Sequence, residues 1–118
     1  MDRTEFTKIF ELQIDRCKGI LQQKGNIYSE GTDRLGNFKK AANLQEISPI
    51  AALLGMYSKH IVCLSDLISR PIESVTSEQW DETITDSINY LILLRALITE
   101  GREVFKPIPN TSIGGTSK

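Results

Sequence analysis

Three oxygen-bearing side chains recur at helical spacing in the stretch "WDETITDSINYLILLRALI", residues 80–98. Glu82, Asp86 and Asn89 are four and then three residues apart, so a helix sets them in one stripe. Two carboxylates and an amide carbonyl are hard oxygen donors. Mg²⁺ commonly takes one or two carboxylates and keeps waters that a substrate phosphate can replace. A second acidic pair, Glu11 and Asp15, has helical spacing near the N-terminus. The bland alternative for either pair is a solvated helix face, and acids in the first turns of a helix also complement its dipole.

Cations and aromatic groups lie elsewhere. The stretch "KGNIYSEGTDRLGN", residues 24–37, is rich in Gly, Asn, Ser and Asp and reads as a loop. It carries Lys24, Tyr28, Glu30, Asp33, Arg34 and Asn37, a dense polar set for one connection, and Phe38 follows it. Lys59 and the single histidine, His60, sit side by side further on. A lone histidine is more often structural than catalytic. No Ser/His/Asp arrangement and no Gly-rich phosphate loop stands out.

Helices must position these groups. Phe6, Ile9, Phe10, Ile14, Cys17, Ile20 and Leu21 recur at helical spacing and predict a first helix over 4–23, capped by Thr4 and ended by Gly25 and Asn26. Leu12 falls on the opposite, polar face, where it could touch a second subunit. Residues 38–44 predict a short helix. Ser48 as N-cap and Pro49 at the first helical position open a long helix over 48–69. Its Ile50, Leu54, Tyr57, Ile61, Leu64 and Ile68 alternate by four and three, a seam expected to pack against other helices. Pro71 stops it. Thr76 and Gln79 form a capping-box pattern before the last helix, which runs to about Glu100 with Gly101 as its stop. Leu91 to Leu94 are consecutive, so the second half of that helix is apolar all round and residues 84–98 should be central in a bundle or oligomer.

The expected fold is all-α: a bundle of three long helices and one short one in a single domain, residues 1–105, with an extended tail over 106–118. Three long helices cover a central apolar helix only in part, which favours a homo-oligomer. Composition agrees with a globular chain: 118 residues, 40% hydrophobic and 25% charged. With 14 basic and 15 acidic residues the net charge is −1, so there is no basic field of the kind that sequence-independent nucleic-acid binding needs. No apolar run reads as a membrane span and the N-terminus lacks a signal-peptide core. Cys17 and Cys63 fall at or beside apolar helix positions and read as buried thiols in a reducing cytoplasm.

Three segments in order, "KGNIYSEGTDRLGNFKKAA", "GMYSKHIVCLSDLI" and "WDETITDSINYLILLRALI", resemble a small domain common in bacteriophage genomes, the nucleotide-modification-associated domain. The pattern of that family falls here on Lys24, Tyr28, Asn37, Phe38, Lys59, Asp86, Asn89 and Tyr90. The resemblance covers roughly residues 5–100. The family in turn is similar to the all-α nucleotide pyrophosphohydrolases, the MazG and all-helical dUTPase group. Those are oligomers that hold Mg²⁺ with acids on two helices. This chain departs from them: no cluster of glutamates precedes Lys59.

What the resemblance implies is a nucleotide or nucleotide-derived small molecule held between helices. Lys59, His60 and Arg34 would meet phosphates, and Tyr28 or Phe38 would stack on a base. Glu82 and Asp86 would hold Mg²⁺ if the protein is a nucleoside triphosphate pyrophosphohydrolase. If it is instead an oligomeric sponge that sequesters a nucleotide-derived host defence signal, they and Asn89 would bond ribose or base. A protein–protein interaction module is the third reading.

Overall fold

The computed structural model describes residues 1–28 and 33–102, the side chains of 24–28 excepted. The chain is all-α, with no strand among the described residues. Helix α1 spans Arg3–Tyr28, α2 Gly36–Gln45, α3 Pro49–Ser69 and α4 Ser77–Gly101, and a 3-10 turn covers Ile72–Ser74. The expected tail over 106–118, and the boundary at 105, lie outside the described residues.

Local signals set most of the helix ends. The Ser48 hydroxyl accepts from Ala51 N at 3.1 Å with Pro49 in the first turn. Thr76 and Gln79 close a full capping box: Gln79 N donates to Thr76 Oγ1 at 3.1 Å, and Thr76 N donates to Gln79 Oε1 at 2.9 Å. Two ends differ from expectation. Asp2, not Thr4, caps α1, its carboxylate accepting from Glu5 N at 2.8 Å. Helix α1 also runs on past Gly25 and Asn26 to Tyr28. Glycine inside a helix costs only about 1 kcal/mol relative to alanine, and extending an existing helix needs no new nucleus. Lys24 and Tyr28 therefore belong to α1 and not to the following connection.

Helix α4 is the centre of the fold, packed by α3 and by α1, while α2 packs on α3. Its buried positions are Thr83, Thr85, Ser87, Asn89 and Leu97. Positions two apart on a helix point to nearly opposite sides, so burial at 83, 85, 87 and 89 means cover on both flanks. One flank meets α3, where Cys63 Sγ lies 3.8 Å from Thr83 Oγ1. The other meets α1, where Gln13 Nε2 donates to Thr85 Oγ1 at 2.9 Å. Small side chains at the crossing let the helices approach closely. Ser87 satisfies its hydroxyl on the Thr83 carbonyl at 2.8 Å. The apolar core lies toward the other end, where Leu35, Phe38, Leu53 and Leu97 cluster with Met56, Tyr90 and Leu93 around them.

Several apolar faces remain uncovered. On α3 the seam residues Ile50, Leu54, Ile61 and Ile68 are 44–65% exposed, because α2 and α4 take the face carrying Ala52, Leu53 and Leu67. Of the seam expected to pack against other helices, Tyr57 and Leu64 are half-buried, Tyr57 against the core, and these four are left open. Phe6, Ile9, Phe10 and Leu12 on α1, and Leu91 and Ile92 on α4, are exposed as well. Cys17 is buried as expected, but Cys63 is exposed. Helix α3 is, by length and composition, apolar enough to cross a bilayer, contrary to the sequence reading. Its middle nevertheless carries Lys59 and His60, groups that are expensive at the centre of a membrane.

Candidate functional site

The turns before and at the start of α2 bring its residues against α4. Asp33 accepts from Leu35 N at 3.0 Å and from Lys39 Nζ at 2.8 Å, and Lys39 also reaches Glu100 Oε1 at 2.8 Å. This surface chain ties the start of α2 to the end of α4. The Lys39 ammonium beside it holds the Asp33 carboxyl below the usual carboxylate range, with the Leu35 N–H adding to the effect. Arg34 donates to the carbonyl of Leu21 at 3.3 Å, tying the same segment back to α1.

Between α1, α2, α3 and α4 lies a cavity of about 380 Å³. Its walls are largely apolar, with Ile20, Leu21, Phe38, Met56, Tyr90 and Leu93. Its polar groups are Arg34, Asn37, Asp86 and Asn89. Few convergent polar groups in an apolar, concave setting is the common design of small-molecule sites.

Asn89 is the decisive residue. It is 4% exposed, and neither its Nδ2 nor its Oδ1 has a hydrogen-bond partner. Buried amides are almost always bonded, and leaving such a group unpaired costs about 1–3 kcal/mol. Asn89 belongs to the cavity lining, and its donor and acceptor are both buried there without a partner.

Asp86, one turn before Asn89, is mostly buried, its side chain 17% exposed. Its Oδ2 lies 3.7 Å from His60 Nδ1, a long contact that becomes an ion pair when the imidazole is protonated. The His60 ring sits 4.8 Å from the Tyr90 ring, which in turn stacks on Tyr57 at 5.5 Å. Burial pushes the Tyr90 hydroxyl above its usual pKa, and the Asp86 charge adds to the shift. A second, more open cavity of about 560 Å³ lies on the α1 side. Asp86 and Ile20 border both cavities, and Glu82, Asp81, Arg16 and Gln23 line the outer one. Arg16 is paired there with Asp81 at 3.2 Å.

Sequence reasoning placed several of these groups. Arg34, Asn37, Phe38, Asp86 and Asn89 do meet in one cavity, and His60 touches Asp86. Phe38, though, is 7% exposed and serves as core as well as wall. Glu82 shares only the outer cavity with Asp86 and is exposed. Lys59 is exposed and borders neither cavity. Glu11 and Asp15 are exposed too. The side chains of Lys24 and Tyr28 lie outside the described residues. Sequence reading missed Met56 and Leu93 as walls, since apolar residues at helical spacing give no sign of which faces a cavity. It also missed Tyr90 as the bridge between His60 and Tyr57. Among the described residues no group of three or more His, Cys, Asp or Glu side chains converges on a metal-binding point.

No family model, no curated protein and no solved structure matches this chain.

Proposed function

We propose that this protein binds a nucleotide or a nucleotide-derived small molecule, with its base in the inner cavity. The observation that carries the reading is Asn89, a buried amide with both polar atoms unpaired in the wall of an apolar cavity. A planar heterocycle suits such a place: its faces bury against Phe38, Met56 and Leu93, and its polar edge meets the amide. Asparagine bonds bases in this two-point way because the amide offers donor and acceptor side by side. Arg34 is a cation of the cavity lining that can meet a phosphate, through charge-assisted bonds.

Binding without turnover is the favoured form, in keeping with a phage-type sponge that sequesters its ligand. The motive is the acidic set. Glu82 and Asp86 are two carboxylates on one helix, and the glutamate cluster that the similar pyrophosphohydrolases carry is missing from the sequence. The hydrolase reading rests on the outer cavity, which both acids border. There they could hold Mg²⁺, which would supply charge neutralisation for a triphosphate. Self-association belongs to the same proposal, because the exposed seam of α3 and the exposed Leu91 and Ile92 of α4 are apolar surface beyond what a lone chain usually leaves in water.

The test is calorimetry of the intact protein against linear and cyclic nucleotides, with and without Mg²⁺, followed by chromatography of the recovered ligand. Intact ligand released on denaturation is expected. Recovery of monophosphate and pyrophosphate would return the protein to the enzymes. No heat from any compound, with helicity confirmed by circular dichroism, would leave the protein-interaction reading.

A further inference from the structure

Asp86 and Asn89 lie one turn apart on α4 and border the same cavity. Residues at that spacing hold their Cβ atoms about 5–6 Å apart, the width of a base edge and its two hydrogen bonds. The amide does not spend its hydrogens on the neighbouring carboxylate, since Nδ2 is without a partner. Together the two side chains present an N–H donor, a carbonyl acceptor and a carboxylate acceptor. A carboxylate has about four lone-pair sites, so Asp86 can accept from a ligand beside the partners it already has, His60 among them.

With the carbonyl set between the N–H and the carboxylate, the complementary ligand edge is an acceptor followed by two N–H donors. Guanine has it in O6, N1–H and its N2 amine. Adenine has it in a ring nitrogen and the two hydrogens of N6, and cytosine in N3 and the two hydrogens of N4. Uracil, bonded to the amide through O4 and N3–H, would turn its O2 toward the carboxylate, where the two oxygens repel. Hypoxanthine in the guanine pose offers only C2–H there. Resting on the nucleotide reading above, we propose that Asp86 and Asn89 jointly read the exocyclic amine of a nucleobase. The site then selects bases that bear the amine over counterparts that lack it. In this arrangement Asp86 is a specificity residue of the inner cavity and needs no metal.

The experiment compares matched pairs on the full chain in the presence of a chelator: AMP with IMP, GMP with IMP, and CMP with UMP, by calorimetry. The amino member of at least one pair should bind roughly tenfold to hundredfold tighter, the usual discrimination of a good two-point base contact. Asp86→Asn should narrow that gap, because it replaces an acceptor by a group that can donate to a keto oxygen. Members without the amine binding as tightly as their amino partners would overturn the inference while leaving nucleotide binding in place. An unchanged preference in Asp86→Asn would also overturn it. No binding by any of the five compounds, together with none in the wider nucleotide panel, would remove both this inference and the reading beneath it. If Asp86→Asn does not fold, the wild-type pairs decide the matter alone.

Discussion

Gln13 of α1 donates through Nε2 to the hydroxyl of Thr85 on α4 across 2.9 Å, joining residues 72 apart in sequence at the crossing of the two helices. Thr85 is buried and Gln13 half-buried, so the bond is sheltered from water. Its expected net worth is about 0.5–1.5 kcal/mol. A double-mutant cycle on Gln13→Leu and Thr85→Val, read by urea denaturation, should return a coupling energy of that size. A coupling indistinguishable from zero would mean that this bond adds nothing to the hold of α1 on α4.

Asn89→Leu should make the ligand-free protein more stable. The leucine has the same branched outline, is larger toward the cavity, and carries no polar atom to leave unpaired. The gain is expected at about 1–3 kcal/mol, the cost of an unsatisfied buried group. The same variant should lose nucleotide binding. Stability rising while affinity vanishes is the trade-off of a group kept for function. A loss of stability instead would show that the amide is satisfied in solution.

Arg34 and Lys59 separate the cavity from the surface. Arg34 borders the inner cavity and Lys59 does not. Arg34→Ala should weaken a phosphate-bearing ligand by about 1.5–3 kcal/mol, part of it through the lost bond to the Leu21 carbonyl. Lys59→Ala should leave affinity nearly unchanged in one protomer's site. Calorimetry on the two variants decides. A large loss in Lys59→Ala would place the lysine on the ligand through a second copy of the chain.

Tyr90 gives the fold an alkaline limit. Its hydroxyl has a raised pKa in the folded state, from burial first and the Asp86 charge second, against 10.0 for the free group. A raised folded pKa means that the unfolded chain loses its proton first. The contribution is therefore fully present below pH 10.0 and is lost as pH rises through the folded value. Urea midpoints taken from pH 8 upward should fall less steeply for Tyr90→Phe than for the wild type. Parallel curves would contradict the assignment.

The α3 seam supplies the test of self-association. Leu54 and Ile61 lie two turns apart along it, 59% and 44% exposed. Light scattering of the wild type at micromolar concentration should show at least a dimer, and Leu54→Lys with Ile61→Lys should reduce it to a monomer with its helicity kept. A monomeric wild type would refute the proposal.

The sequence by itself determined the helices, because caps and periodicity are local. Ser48 with Pro49 and Thr76 with Gln79 fixed the starts of α3 and α4 without any distant contact. It also marked Asp86, Asn89, Arg34 and Phe38 as residues to watch, since their types and spacing are visible in one dimension. Tertiary structure alone decided which of the marked residues meet. Lys59 and His60 are neighbours in sequence, yet successive helix positions point about 100° apart, so one reaches Asp86 and the other water. The seam of α3 was legible as a stripe but not as an uncovered one, because cover depends on where α2 and α4 dock. The unpaired state of Asn89 was likewise out of reach, since a side chain's hydrogen-bond partners come from elements distant in sequence and are set only when those elements pack.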